Sequence, residues 1–343
     1  MEASVRREKV RFVSGKEECA AWHYPGSNRA CVIMAGGLGV TKEPATDPFA
    51  KRFNDAGFTV LAFDFRRLGE SGGQPRQIVR MGEQQADWQA AIDFAGTLAE
   101  VDPTRLALWG FSLSSGHVFR VAVRNLQLAA AIAVSPLADG QAAAPNALRH
   151  QTPLATLRLT GRAVLDILGG LIGREPLLVP LVAERGTVAS ISTPDALNGD
   201  RALNPNNKYP DWQREVAARS ALRLGFYRPG RYASRIQCPL LVLAYDDDGV
   251  SPPGPAIRAG QRAPAGRSFA CLAGTMSPSS TATSGPPKCS LPSCTVTCST
   301  SHRQPALRRC QVRACPIRPQ HEQPDRAVRR PARHRPGFLD QSP

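Results

Sequence analysis

The sequence lacks the motifs and segments that mark several large classes of protein. It has no phosphate-binding loop of the P-loop kind, and Gly36-Gly37-Leu38-Gly39 lacks the spacing of a dinucleotide fingerprint. Residues 1–13 are charged and contain no apolar segment of a secretory signal. The most apolar later stretch, residues 163–182, is interrupted by the pair Arg174-Glu175 and by a proline. We therefore expect no bound nucleotide or other cofactor, no secretory signal and no membrane span, and we interpret residues 163–182 as a pair of lid helices.

Positive charge and cysteine are scarce in most of the chain and concentrated at its C-terminal end. Residues 264–343, here called the tail, hold 12 Lys and Arg against 3 Asp and Glu, whereas residues 1–263, the body, hold 31 against 25. Of nine cysteines, the body contains only Cys19, Cys31 and Cys238. Three dispersed cysteines are typical of reduced core thiols, which favours a cytoplasmic protein. The tail is rich in Pro, Ser, Arg and Cys, a composition that predicts disorder.

Apolar runs alternate with helical patterns through the body. The runs are Ala30–Met34, Phe58–Phe63, Leu106–Trp109, Ala129–Val134 and Pro239–Ala244, and the helical patterns include Pro48–Ala56 and Gly82–Ala99. Near-continuous apolar strands separated by helices predict an α/β fold with a doubly wound, mostly parallel sheet. Residues 140–225 break this rhythm, and we interpret them as an inserted helical cap between two parts of the core, residues 1–139 and 226–263.

A serine lies at the predicted junction of a strand and a helix. Gly110-Phe111-Ser112-Leu113-Ser114 follows the apolar run that ends at Trp109 and opens a helix-compatible stretch. This is the setting of a nucleophile elbow, in which a serine is exposed on a sharp strand-to-helix turn. The turn needs a small residue two places before the serine, and Gly110 supplies it. Ser112 is therefore the predicted nucleophile, although Ser114 stands where the motif has a second glycine.

A nucleophilic serine needs an orienting acid and donors for the oxyanion as well as a base. Three carboxylates, Asp246-Asp247-Asp248, follow the late strand Pro239–Ala244, and Asp248 is favoured because it falls at the loop tip. The predicted oxyanion donors are the backbone N–H groups of Leu113, which follows the nucleophile, and of Leu38, which follows the first apolar strand.

Three further segments carry a resemblance to a known family. Met34-Ala35-Gly36-Gly37-Leu38-Gly39 resembles an H-G-x-G oxyanion loop with Gly36 in place of the histidine. The segment from Phe63 to Ser71 resembles a D-x-R-x-x-G-x-S loop, and Asp102 to Gly110 resembles a D-P-x-R-[IL]-x-L-x-G approach to the elbow. With these motifs, residues 25–263 resemble the α/β-hydrolase superfamily, and specifically bacterial serine aminopeptidase-like and dienelactone-hydrolase-like esterases. The resemblance implies an α/β-hydrolase fold and an esterase, lipase, thioesterase or peptidase activity.

The catalytic histidine that the resemblance implies is missing from its expected place. The family carries it on a loop roughly twenty to thirty residues beyond the acid, and no histidine follows Asp248 before His302. His321 and His334 are more distant still, and His117, five residues after Ser112, fits a packed helical histidine better than a base. The sequence therefore offers no identifiable base.

A shifted reading frame would explain the missing histidine. If the frame slides by two nucleotides, residues 269–277 can be read as Arg-Leu-Pro-Gly-Gly-His-Tyr-Val, in which the codons of Gly274 and Thr275 supply the histidine. This stretch resembles the family's histidine loop. We hypothesise a frameshift between about Ala263 and Ser268, which would also explain the composition of the tail.

The sequence thus predicts a serine hydrolase that acts on a small carboxylic ester or thioester through an acyl-enzyme at Ser112, and that is inactive as printed if the histidine loop is absent. A serine aminopeptidase-like peptidase is an alternative, with an acidic grip on a substrate amine from Glu184, Asp195, Asp200 or Asp211.

A zinc-binding tail is a weaker alternative, because its cysteines and His302 match no C-x-x-C pairing, and we predict no metal site. Basic residues such as Arg329 and Arg330 lack interleaved aromatics, so we expect no nucleic-acid partner. The sequence does not indicate an oligomeric state.

Overall fold

The structure, a computed structural model, describes residues 7–271. Ten strands are present in these residues: β1 Glu8–Ser14, β2 Glu17–Tyr24, β3 Cys31–Ala35, β4 Thr59–Phe63, β5 Leu106–Phe111, β6 Ala130–Val134, β7 Leu178–Pro180, β8 Glu215–Ala217, β9 Leu240–Tyr245 and β10 Gly266–Cys271. The α-helices are α1 Lys42–Asp55, α2 Met81–Ala95, α3 Leu113–Arg124, α4 Gly140–Arg149, α5 Pro153–Leu171, α6 Pro194–Leu203, α7 Ala218–Leu224 and α8 Pro253–Arg262. Most of the predicted disordered tail lies outside the described residues.

Eight strands form one sheet in the order β1-β2-β4-β3-β5-β6-β9-β10. The strands from β4 to β10 along this order pair in parallel, whereas β1 and β2 join the edge by antiparallel pairing. The central strands β3 and β4 are buried along their whole length, as expected of parallel strands that are covered on both faces. The predicted mostly parallel α/β sheet is confirmed.

Helices cover both faces of the sheet with separate apolar cores. On one face α2, α3 and α8 contribute buried residues such as Trp88, Phe119 and Ala256. On the other face α1 and the segment between β6 and β9 bury Trp109, Trp212 and Val216, among others. Because the strands run in parallel, the loops that follow β3, β5, β6 and β9 all leave the sheet at the same edge, which brings distant parts of the sequence together there.

Residues between β6 and β9 leave the sheet and form helices α4 to α7 with the two-stranded β7–β8 ribbon. Helices α5 and α7 are tied together by a buried ion pair, in which Arg219 Nη2 lies 2.7 Å from Asp166 Oδ1. The segment is attached to the core by the backbone N–H of Ala217, which donates to the carbonyl of Gln77 at 2.8 Å. The first helix of this insertion, α4, begins at Gly140, and the insertion ends where β9 begins at Leu240. The cap over residues 140–225 stays a prediction.

The prediction of two lid helices over residues 163–182 is wrong. A single helix, α5, runs from Pro153 to Leu171, and the chain then passes through a turn into β7. Gly173 adopts a left-handed φ of +76°, and the N–H of Arg174 donates back to the carbonyl of Gly169 at 2.9 Å. A left-handed glycine with a returning hydrogen bond is a common way to end a helix, so the apolar residues beyond it belong to a strand.

Strand β10 begins within the residues that composition assigned to the tail. Gly266–Cys271 pairs in parallel with β9 over its whole length, so the sheet continues at least to Cys271. Within residues 7–271 no helix is both long enough and apolar enough to cross a membrane. The three body cysteines, Cys19, Cys31 and Cys238, are buried and free of disulfides.

Candidate active site

Ser112 lies on a sharp turn between β5 and α3. Its φ of 55° and ψ of −116° fall in a region that non-glycine residues seldom adopt. The turn is held on both sides: the N–H of Ser112 donates to the carbonyl of Val134 on β6 at 2.9 Å, and its carbonyl accepts from the N–H of Leu137 at 3.2 Å. Such strain persists only where the surrounding structure enforces it, and the geometry is that of the predicted elbow.

Small residues around Ser112 make this turn possible. A Cβ atom at Gly110 would lie 2.7 Å from the backbone nitrogen of Ser115, which no side chain tolerates. The Ser115 hydroxyl lies 2.6 Å from the carbonyl oxygen of Gly110 and 2.8 Å from that of Val134, and so links the two strand ends. Ser114, in the place of the second glycine of the motif, is fully buried, and its hydroxyl has no hydrogen-bond partner in the described part of the chain.

The loop after β3 passes directly beside Ser112. A Cβ atom at Gly37 would lie 3.1 Å from Cβ of Ser112, and the next residue, Leu38, lines the same pocket as the serine. Leu113 is the first residue of α3, so its N–H is one of the donors that a helix leaves without an internal partner. The two predicted oxyanion donors therefore belong to segments that meet at Ser112.

The presence of glycine at position 36, where the family motif has histidine, has a steric explanation. A Cβ atom there would lie 2.5 Å from the carbonyl oxygen of Val40, so a histidine does not fit this loop as it is folded. Two side chains hold the loop instead. Trp212, from the insertion, donates from Nε1 to the carbonyl of Gly39 at 2.8 Å, and the carboxylate of Asp64 accepts from the N–H of Lys42 at 2.7 Å.

A buried ion pair supports the end of this loop. Lys42 is 1 % exposed, and its Nζ lies 2.9 Å from Asp64 Oδ2 and 2.7 Å from Glu70 Oε2. Burial opposes a charge on Lys42, but the neighbouring carboxylates of Asp64, Glu70 and Glu43 raise its pKa above the usual value. The hydrogen bonds from Lys42 and Lys9 lower the pKa of Glu70 to about 2. The D-x-R-x-x-G-x-S segment thus fixes the loop after β3 through Asp64.

The predicted acid, Asp248, is 5 % exposed and lies beyond β9. Its Oδ1 accepts from the N–H groups of Val250 at 3.0 Å and Ser251 at 2.6 Å. Its Oδ2 accepts from the hydroxyl of Ser135, which follows β6. Side chains from the insertion fix the next residue: Asn146 donates to the carbonyl of Gly249 at 2.6 Å, and Asp195 accepts from its N–H at 3.0 Å.

Of the three histidines in the described residues, His23 and His117 have side chains that bind other groups. His117 is fully buried, with Nδ1 2.8 Å from the Tyr227 hydroxyl and Nε2 2.8 Å from Gln84 Oε1. Burial lowers its pKa to about 3, so the ring is neutral. Nε2 of His23 lies 2.6 Å from Glu100, and His150 ends α4. The predicted packing role of His117 agrees with these contacts. His302, His321, His334 and the tail cysteines from Cys289 to Cys315 lie outside the described residues, as do Arg329 and Arg330.

A pocket of about 350 Å³ opens at Ser112. It is lined by Leu38 and Leu113, by residues of α4 and α5, by residues around α7, and by the loop Gly249-Val250-Ser251 that follows Asp248. Among the described residues that line it, none is charged, and its apolar wall includes Leu137, Ala143, Ala147, Leu148, Leu159, Ile191, Leu222 and Val250.

The four carboxylates predicted as a possible grip for a substrate amine are all absent from this lining. Asp200 pairs with Arg214 at 3.1 Å, and Asp195 accepts from the N–H of Gly249. Glu184 and Asp211 are the other two. No cluster of three or more potential metal ligands occurs within residues 7–271.

Residues 26–276 match the family model described as serine aminopeptidase, S33. The chain belongs to this family of α/β hydrolases. It is 38 % identical over 259 residues to the quorum-quenching protein AidA of Acinetobacter baumannii, covering 74 % of this chain and 83 % of that protein. It is 26 % identical over 238 residues to a thiohydrolase of Eupenicillium brefeldianum, covering 67 % and 74 % of the two chains.

The fold of this hydrolase is also that of solved structures. The α/β hydrolase GrgF from Penicillium sp. sh18 superposes with a TM-score of 0.67 at 22 % identity, over 79 % of this chain and 91 % of that chain. A structure of DcsB in complex with its substrate analogue gives the same TM-score at 19 % identity, over 79 % and 92 %. At this level of identity, the likeness establishes the fold only.

Several residues that shape the site of this hydrolase were not predicted from the sequence. Ser135, Asn146 and Trp212 lie 113, 103 and 173 residues from their hydrogen-bond partners, and no local pattern marks them. One feature of the sequence could have identified Ser135. It directly follows the apolar run of β6, at the same edge of the sheet where Ser112 follows β5. The position after each parallel strand is a place to look for site residues.

Proposed function

We propose that the chain is built to cleave a carboxylic ester or thioester through an acyl-enzyme at Ser112. The Ser112 oxygen would bond to the acyl carbon, the alcohol or thiol would leave with a proton, and water would then release the acid. The N–H groups of Leu38 and Leu113 would bind the oxyanion, and Asp248 would orient a histidine. The strained φ and ψ of Ser112 at the mouth of the pocket are the observation that carries this proposal.

The pocket supports an apolar acyl group as the substrate's recognised part. Its volume of about 350 Å³ lies at the lower end of the range for small-molecule sites. Its uncharged lining gives no partner to a substrate ammonium group, and burying an unpaired charge is costly. This favours an ester or thioester over the aminopeptidase alternative. A relative that is a thiohydrolase also supports a thioester.

The base is the part of the mechanism that the described residues do not supply. We propose that the histidine loop has been lost through the frameshift between about Ala263 and Ser268. The family match ends at residue 276, so the last 67 residues of the printed chain lie outside it. Resequencing the gene from independent isolates tests this directly, and an uninterrupted printed frame in all of them would contradict it.

The experiment for the main proposal compares three substrate classes with the purified chain. We expect p-nitrophenyl esters and acyl thioesters to be hydrolysed faster than aminoacyl p-nitroanilides. All of these rates should be lower than those of a hydrolase with a complete triad, because the base is missing. Losing one member of a triad leaves about 10³-fold to 10⁴-fold catalysis over water. The control is Ser112→Ala, which keeps the pocket and removes the nucleophile. Because removing one member of a triad costs about as much as removing all of them, Ser112→Ala in the printed chain should hydrolyse esters at nearly the same low rate, and the role of the serine is tested once the histidine is restored. Faster hydrolysis of aminoacyl p-nitroanilides than of esters and thioesters would contradict the proposed substrate class.

A second candidate function is quorum quenching, favoured by the 38 % identity to AidA over most of both chains. A reporter strain that responds to an added acylated signal would show a weaker response after incubation of the signal with the protein. The same loss with Ser112→Ala would indicate that the signal is bound rather than cleaved.

A further inference from the structure

Helix α5 exposes an apolar surface that no part of the described structure covers. Thirteen large apolar side chains are exposed in the described residues, and eight of them belong to α5 or to Ile172 at its end. The outer stripe of α5 is formed by Leu154, Leu157, Leu165, Leu168, Leu171 and Ile172, with exposures between 55 % and 78 %. Their spacing places them within about a third of the helix circumference at 100° per residue. The stripe is therefore one continuous apolar surface.

The opposite side of α5 fixes the helix to the insertion. Ala155, Ala163 and Asp166 are its buried residues. Both carboxylate oxygens of Asp166 bind Arg219, at 2.7 Å and 2.8 Å. Because α5 is held along this side, the described residues leave its outer stripe exposed.

Within α5, the exposed charge beside the outer stripe is positive, while the segment after the helix carries the exposed pair Arg174 and Glu175. Arg158 and Arg162 are exposed, and at a spacing of four residues they stand one above the other along one border of the stripe. The only acidic residue of α5 is Asp166, which is buried and paired. An apolar face bordered by arginines complements an anionic lipid surface, into which the leucines insert while the arginines reach the headgroups.

The positive charge of Arg158 and Arg162 also argues against two other partners for the stripe, a second copy of the chain and the tail. An antiparallel two-fold pairing of two copies would bring Arg158 and Arg162 of both helices to the same edge, with no exposed carboxylate on α5 to neutralise them. The tail carries 12 Lys and Arg against 3 Asp and Glu, so it too is repelled by this border.

From these observations we propose that the outer stripe of α5 docks on the surface of an anionic phospholipid membrane. The helix lies along the surface, with the rest of the insertion above it. Thr156, Leu159 and Thr160 of the same helix line the pocket at Ser112, so docking holds the pocket beside the bilayer. This inference goes beyond the proposed hydrolysis and does not depend on the activity of Ser112.

The test is sedimentation of the full chain with vesicles of phosphatidylcholine and phosphatidylglycerol in equal parts, compared with pure phosphatidylcholine. We expect binding to the mixed vesicles that weakens as salt is added. Leu157→Gln/Leu168→Gln and, separately, Arg158→Gln/Arg162→Gln should each reduce this binding by about tenfold or more. The matched controls are Leu126→Gln and Arg235→Gln, exposed residues outside α5, which should bind like the unaltered chain. Thermal melting of each variant shows that the exposed substitutions leave the fold intact.

Ser112→Ala separates this proposal from the proposed function, because it should bind vesicles fully whether or not the chain hydrolyses esters. The proposal is overturned if the unaltered chain stays in the supernatant with mixed vesicles. It is also overturned if Leu157→Gln/Leu168→Gln binds vesicles normally, or if that variant dissociates a dimer of the chain while no vesicle binding is seen.

Discussion

The hydroxyl of Ser135 donates a hydrogen bond to the carboxylate of Asp248, joining the residues that follow the neighbouring strands β6 and β9. Together with the N–H groups of Val250 and Ser251, this gives the carboxylate three donors. Donors on both oxygens fix the plane of a carboxylate, which is what an acid that orients a second side chain requires. The carboxylate of Asp248 is therefore held in one orientation by the described residues.

Replacement of Ser135 by Ala is expected to lower the free energy of unfolding by about 1.5–3 kcal/mol, because a buried hydrogen bond to a charged group is lost. Ser251→Ala is the matched control: the hydroxyl of Ser251 is buried without a hydrogen-bond partner in the described residues, and its N–H to Asp248 is kept. Urea titration measures both variants. Equal losses would mean that the Ser135 bond adds nothing specific.

Replacement of Gly110 by Ala should distort the elbow, since the new Cβ would press on the backbone at Ser115. We expect a loss of about 1–3 kcal/mol in stability, the usual cost of overpacking. Gly161→Ala provides the control, because Gly161 lies within α5 with nothing within 4 Å of its would-be Cβ. That change should stabilise the protein by up to about 1 kcal/mol. Thermal or urea unfolding of the two variants should therefore shift in opposite directions.

Replacement of Asp64 by Asn removes the one fully buried carboxylate beside Lys42 and leaves it the partly exposed Glu43 and Glu70. We expect a loss of stability of up to about 3–5 kcal/mol, the cost of breaking a buried ion pair outright. The control is Asp55→Asn, whose partner Lys51 lies at 2.7 Å on the surface of α1. An exposed pair contributes less than about 1 kcal/mol. If both variants unfold at the same urea concentration, the buried pair does not anchor the oxyanion loop.

His117 should make stability fall in mild acid. Burial lowers its pKa in the folded state from 6.5 to about 3, so below pH 6.5 the unfolded chain binds a proton that the folded chain does not. The folded state then loses stability as pH falls from 6.5 towards 3, by about 2 kcal/mol at pH 5. In His117→Gln the drop in stability between pH 7.5 and pH 5 should be smaller by about this amount. An equal drop in His117→Gln and in the unaltered chain would contradict this assignment.

The central strands could be predicted because they are buried on both faces. β3 and β4 read as continuous apolar runs, and the structure has them within a residue of the predicted bounds. β9 was found in the same way, although its residues alternate between buried and half-buried. β1 and β2 were not predicted. β1 alternates exposed and buried residues at the edge of the sheet, and a search for continuous apolar runs passes over such a pattern.

The position of Ser112 on a strand-to-helix turn could be predicted because its constraints are local. The strand, Gly110 and the helix all lie within a few residues of it, and the structure has them as expected. The loop supports could not be predicted, because Trp212 and Ser135 reach their partners across more than a hundred residues. The prediction of two lid helices was wrong for a related reason. An apolar run indicates that its side chains avoid water, but it does not indicate whether this protein or another surface covers them.

The most direct test of the account is to shift the reading frame of the gene by two nucleotides after the codon of Ser268 and to compare the two proteins on the same ester and thioester. We predict that the shifted chain, with its histidine in place, hydrolyses them at least about 10³-fold faster than the printed chain. Ser112→Ala in the shifted chain should remove this gain. Equal rates for the printed and shifted chains, or a shifted chain that works without Ser112, would contradict the account.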